Sequence, residues 1–275
     1  MAEFNISVSL GSENPFFGTP ENDIITVVTP EDRISYSLDG ALGNDRIEGG
    51  NGDDRLLGNQ GNDSLLGSQG NDTLFGMEGD DNISPGGGND LIFGNQGNDT
   101  FFTTGTDDTV FGGQDNDSII GGSNNIAFGN LGNDTISIDA GSTLFGGQGN
   151  DSLEGIAGNQ TLSGDLGQDT LRGGGGNDLF LMGNIGAENA DIITEFELNQ
   201  DRIALSGLTF EQLAISSISR SEVDSIFGSG AAGAFSNNIL QILKIEAGGQ
   251  LVAVVGGDQV DFIAQFQQPQ NFTLI

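Results

Sequence analysis

Aspartate recurs in this chain at a fixed phase. Asp45, Asp54, Asp63, Asp72, Asp81, Asp90, Asp99, Asp108 and Asp117 stand nine residues apart, and Asp134, Asp151, Asp169 and Asp178 continue the series. A row of carboxylates at one phase suits one chemistry, the ligation of a hard cation by oxygen. The chain has no His and no Cys. That removes zinc and soft-metal sites, and with them Ser-His-Asp and Cys-His catalysis. No G-x-S-x-G elbow or H-E-x-x-H helix occurs, so no enzyme is expected.

The charge agrees. Forty acids against seven bases give a formal net charge of -33 over 275 residues. Nucleic acid is excluded as a partner, because phosphate contacts need a basic surface. Such acidity means disorder or many bound cations. Disorder fits poorly, since 35% of residues are hydrophobic and the acids are spaced rather than clumped. Glycine, at 47 residues, is far above its usual share of roughly 7%. The backbone must therefore turn tightly many times. No apolar run is long enough to span a membrane.

The spacing defines the elements that carry these carboxylates. From Gly40 to Leu181 the chain divides into sixteen contiguous units, fourteen of nine residues and two of eight. GNQGNDSLL and GSQGNDTLF are typical. Numbering positions within a unit, glycines at 1, 2 and 4 are expected to turn the chain, and the carboxylate stands at 6. The apolar residue at 8 points inward: Ile47, Leu56, Leu65, Leu74, Ile83, Ile92, Phe101, Val110 and Ile119. Each unit reads as a turn plus a short strand, and two units make one coil. Coils stacking strand on strand at about 4.8 Å predict a parallel β-roll, a β-solenoid of about eight coils.

The units resemble the RTX, or haemolysin-type, calcium-binding repeat of secreted bacterial proteins. The resemblance implies a right-handed all-β roll. It also implies Ca²⁺ between turns two units apart, held by backbone carbonyls and the position-6 aspartates of both turns. The thirteen aspartates named above are the expected metal ligands.

The two edges of such a roll differ. Odd-numbered units keep an unbroken row: Asp45, Asp63, Asp81, Asp99, Asp117, Asp134, Asp151 and Asp169. Even-numbered units keep Asp54, Asp72, Asp90 and Asp108, then lapse at Asn125, Ser142 and Gln160 before Asp178. Seven ions on the odd edge and three on the even edge are expected, roughly ten in all. They would cancel about 20 of the negative charges. The lapsed turns are expected to close through Asn and Ser hydrogen bonds.

Positions 7 and 9 should face outward. On the even strands they place Phe75, Phe93, Phe111, Phe128 and Phe145 in one ladder. An exposed strip of that size usually marks a contact. Either the chain's own flanks cover it, or it is a partner or self-assembly surface. Position 3 carries no Thr in any unit, which argues against the ice-binding Thr rank of some similar calcium solenoids.

The flanks complete a three-part organisation. Residues 1–39 read as an N-terminal cap, residues 40–181 as the roll, and residues 182–275 as a β-rich C-terminal cap with a secretion signal. In the N-terminal cap Phe4, Ile6, Val8 and Leu10 alternate as a strand. Two degraded units follow, with Asp23, Asp32, inward Ile25 and Ile34, and edge-blunting Pro20 and Pro30. In the C-terminal part, Asp191–Phe196 and Asp201–Ser206 resemble the D-x-I-x-x-F and D-x-I-x-L-S segments that follow RTX repeats in serralysin-like proteins, and Asp261–Ile263 resembles their end motif. A helical turn is expected at Thr209–Leu213, and a hairpin from Asn238–Ile245 to Gln250–Val255. This resemblance implies export by type I secretion machinery to the medium or cell surface. That matches the missing cleavable signal after Met1. A secreted calcium-binding structural or interaction module is the expected function. A self-assembling filament, matrix or surface-layer component is the alternative, and an accessory part of a secreted enzyme a distant third.

Overall fold

The computed structural model describes residues 4–8, 15–27, 34–183, 189–205, 213–227, 231–234, 241–247, 250–257 and 269–274. Among them the fold is all-β with one α-helix and short 3-10 turns, and its strands stack as the parallel coils of a β-roll. The chain divides into two compact units, Met1–Ile138 and Asp139–Ile275.

In the first unit, successive strands alternate between two parallel sheets. One sheet runs Phe4–Val8, Asp23–Val27, Arg46–Asn51, Ser64–Gln69, Asn82–Gly87, Thr100–Thr103, Ser118–Gly121 and Thr135–Ile138. The other runs Phe16–Phe17, Ser37–Asp39, Arg55–Gln60, Thr73–Glu78, Leu91–Gln96, Thr109–Gln114 and Ile126–Leu131. Neighbours align at like positions, as Leu56 with Leu74 and Ile92 with Val110. The eight-residue unit shifts no side chain across the sheet, because Val110 still pairs with Ala127. Its missing residue is absorbed in the turn.

Register follows from burial. The position-8 side chains Ile47, Leu56, Leu74, Ile83, Ile92, Phe101, Val110 and Ile119 are fully buried between the sheets. Slipping one residue would turn that whole row to solvent. Each such side chain contributes about 1.5–3 kcal/mol by leaving water.

The strands are longer than the sequence suggests. Many run from position 7 of one unit to position 3 of the next, as in Ser64–Gln69 with alternating burial, while others such as Thr100–Thr103 and Ser118–Gly121 stop at position 1. Position 1 therefore lies inside the strand, not in the turn. Its glycine serves a different purpose: a Cβ on Gly58 would sit 2.2 Å from Asp63 Oδ2. The turn itself is made at position 4. Gly61 has φ +131°, and a Cβ there would meet the carbonyl oxygen of Gly43 at 1.8 Å.

One expectation for residues 1–39 is overturned. Ile25 is buried as expected, but Ile34 is 40% exposed and Leu38 takes the inward place. The segment before Leu38 is longer than one repeat, which moves the phase from Ile34 to Leu38. Leu10, Pro30 and Asp32 lie outside the described residues.

The second unit also begins with two parallel series of strands and then changes character. Ser152–Gly155, Thr170–Arg172 and Asp191–Thr194 form one parallel series. Thr143–Gln148, Thr161–Leu166, Leu179–Met182, Arg202–Leu205 and Phe272–Leu274 form the other. Phe196, of the D-x-I-x-x-F segment, is buried with its ring 6.0 Å from that of Phe180. Gln250–Gly257 adds in parallel beside Asp191–Thr194 and then pairs antiparallel with Gln241–Ala247, the expected hairpin. Leu213–Ser217 extends it. An α-helix spans Arg220–Phe227. It starts at a capping box: Ser219 Oγ accepts the N–H of Glu222 at 3.3 Å, and Glu222 Oε2 accepts the N–H of Ser219 at 2.7 Å. Val223 then packs on Ala190, Ile192, Leu251 and Val254. Residues 209–212, Asn238 and the 261–263 segment lie outside the described residues.

Candidate metal centre

Most position-6 aspartates are held by the same local feature. A position-4 residue of positive φ, usually glycine and Asp115 before Asp117, swings the chain so that position 6 points back under the turn. Asp63 shows the pattern. Its Oδ1 accepts the N–H of Asp45 at 2.7 Å, and its own N–H donates to Asp81 Oδ1 at 2.7 Å. The odd ladder continues through Asp99, Asp117 and Asp134. The even ladder runs from Tyr36 through Asp54, Asp72 and Asp90 to Asp108. In the second unit Asp151 donates to Asp169, and Gln160 donates to Asp178. Within each unit the sequence-predicted aspartates thus fall into two ladders.

These ladders use only half of each carboxylate. The Oδ2 atoms of Asp45, Asp63, Asp72, Asp81, Asp90, Asp99, Asp108, Asp117, Asp169 and Asp178 are buried without a hydrogen-bond partner. The residues themselves are at most 3% exposed. Asp54, Asp134 and Asp151 are buried in the same place in their turns. A buried, half-satisfied carboxylate is costly unless a cation or proton completes it.

The electrostatics show that cost. Burial, partly opposed by the backbone N–H from the preceding coil, pushes Asp81 and Asp117 up to about 8 from the usual 3.8. It raises Asp45, Asp72, Asp99 and Asp108 to about 7, and Asp63, Asp169 and Asp178 to about 6. Asp90 and Asp134 are raised for the same reason. Neighbouring aspartates add repulsion at Asp45, Asp81 and Asp117.

The donor set fits calcium. It is all oxygen, and among the described residues no three acidic side chains gather into a cluster. Carbonyls must therefore supply most of the ligands, and they are close by. The carbonyl oxygen of Gly76 lies 2.8 Å from the Cβ position of Gly58, in the same space that Asp63 Oδ2 enters. A mixed set of carbonyls and carboxylate suits the flexible coordination of Ca²⁺ better than the strict octahedron of Mg²⁺.

The sequence names Asp23, Asp191 and Asp201 in its flanking segments but not as members of the ladders, whose ends they form. Asp23 donates to Asp45 Oδ1, Asp191 accepts from Asp169, and Asp201 accepts from Asp178. The D-x-I pattern around each was the available signal. A second ladder runs at position 5, where Asn62 donates its N–H to Asn44, Asp80 to Asn62, Asn98 to Asp80 and Asn116 to Asn98.

The outward phenylalanines are stacked and half-buried. Phe75, Phe93, Phe111 and Phe128 follow one another with centroids 4.9–5.1 Å apart, and Arg55 lies over the Phe75 ring. Phe145 belongs to the second unit, beside Ser163.

A family model described as the RTX calcium-binding nonapeptide repeat matches residues 37–65, 57–92, 66–101, 93–125, 102–136, 122–143, 138–165 and 154–184. Together these cover residues 37–184 without a break, more than half of the chain. No curated protein matches it.

Proposed function

The chain belongs to the RTX calcium-binding nonapeptide repeat family, and from that premise we propose that it is an exported structural or interaction module whose folding is coupled to calcium, not an enzyme. One observation carries this reading: the row of buried Oδ2 atoms left without a partner. Calcium bound there supplies the positive charge that those oxygens lack. Asp45, Asp54, Asp63, Asp72, Asp81, Asp90, Asp99, Asp108, Asp117, Asp134, Asp151, Asp169 and Asp178 would hold it, roughly ten ions in all. In the cytosol, where free calcium is scarce, like charges would keep the chain open and able to pass a narrow type I exporter. Millimolar calcium outside the cell would bind only the folded state. Each site at 100 times its Kd then adds about 2.7 kcal/mol. The family's usual secretion supports this order of events. Circular dichroism with a calcium titration tests it at neutral pH. The β signal should appear on adding calcium and vanish with EDTA, and an equal signal in both would defeat the reading.

A second reading, self-assembly into a filament or matrix, is favoured by the stacked phenylalanines. Leu91, at 38% exposed, and Ile126, at 40%, flank that row and widen its apolar strip. Light scattering on calcium addition should then grow with protein concentration, and should fall in Phe93→Ser. Concentration-independent scattering would remove this reading.

A further inference from the structure

Three turns on the even edge lack an aspartate, and each is closed by a donor of its own. Asn125 Nδ2 donates to the carbonyl of Gly122 at 3.4 Å and to Thr103 Oγ1 at 3.2 Å, while its Oδ1 accepts the N–H of Asp108 at 2.9 Å. Ser142 Oγ donates to the carbonyl of Asp139 at 2.8 Å. Gln160 Nε2 donates to the carbonyl of Ala157, and its Oε1 accepts the N–H of Ser142 at 3.0 Å. In every case the acceptor is the carbonyl three residues upstream. All three side chains are at most 2% exposed, as deeply placed as the aspartates.

The ladder ends are finished on similar lines. Asp23 Oδ2 accepts the N–H of Thr19 at 2.6 Å, and Asp201 Oδ2 accepts that of Glu197 at 2.7 Å. An ionised aspartate can only accept, so it demands positive charge from elsewhere. An amide or hydroxyl brings its own proton donor. We propose that the turns at Asn125, Ser142 and Gln160 bind no calcium and are locked by these side chains, which confines the calcium demand of the chain to its aspartate turns. The proposal rests on the calcium reading of those turns.

Calcium stoichiometry by equilibrium dialysis of the full chain tests it at Gln160, whose unit has the full nine residues. Gln160→Asp places a carboxylate next to Asp178 in the ladder and should bind one more ion than the unchanged chain. Gln160→Ala should bind the same number, and should melt several °C lower for the two lost hydrogen bonds. An ion lost in Gln160→Ala, or none gained in a folded Gln160→Asp, overturns the proposal. If Gln160→Asp does not fold, the ion count of the unchanged chain decides. A count near the roughly ten that its aspartate turns allow supports the proposal, and a count that needs ions in the Asn125, Ser142 and Gln160 turns as well overturns it. An unchanged chain that binds no calcium at all brings down the underlying reading, and the proposal with it.

Discussion

In calcium-free buffer the chain should melt at a higher temperature at pH 5 than at pH 8. The buried aspartates bind protons more tightly folded than unfolded, with values near 6 to 8 against an ordinary 3.8. Their stabilising protonation is complete below about pH 4 and is lost as pH rises through 6 to 8. One carboxyl raised by three units costs about 4 kcal/mol once ionised. Two or three of them match the whole stability of a typical domain, roughly 5–15 kcal/mol. The metal-free roll therefore cannot keep all its aspartates charged. At pH 8 it must unfold or hold protons against the solvent. With saturating calcium the order should reverse, because ions and protons compete for the same oxygens. Thermal melts followed by circular dichroism in EDTA at the two values check this. A metal-free chain that melts higher at pH 8 would show that burial does not govern these carboxylates.

The second large effect is expected inside the roll. Phe101 is fully buried, and it pairs with Ile83 below and Ile119 above. Its ring crosses the interior to the opposite sheet, where a Cβ on Gly94 would meet Cζ at 2.8 Å. Nothing nearby is poised to refill that space, since its neighbours are fixed by register. Phe101→Ala should cost about 3–5 kcal/mol in urea melts at saturating calcium. Phe93→Ala, in the half-buried stack, removes ring stacking and should cost about 1 kcal/mol. If Phe93→Ala proved the more damaging, the outer ladder rather than the interior would be the main support of the roll.

The repeat was legible because its signals reinforce one another. Asp63 needs Gly58 for its oxygen and Gly61 for its turn, while Leu65 fixes which face turns inward. Any one of these alone would be ambiguous. What the sequence concealed was purpose. A glycine at position 1 reads as a turn residue, yet Gly58 sits in a strand and makes room for a carboxylate. Phase also failed wherever spacing loosened. Ile34 kept the ninth place by counting, but the longer segment before Ser37–Asp39 hands the inward position to Leu38. Beyond Leu181 there was no period to follow. There the helix at Arg220 was marked only by the Ser219 and Glu222 capping pair, a short-range signal that the repeat pattern overshadowed.

The strict pairing of like positions has a consequence for how such a chain can lengthen or shorten. Inserting or deleting eighteen residues adds or removes one whole storey and leaves everything downstream in its old role. A nine-residue change does not. It would trade the two faces for all later storeys, carrying the phenylalanines to the opposite wall and the lapsed turns to the other seam. Viable length variants of this molecule should therefore come in steps of two units, and an odd step should be tolerated only near the ends.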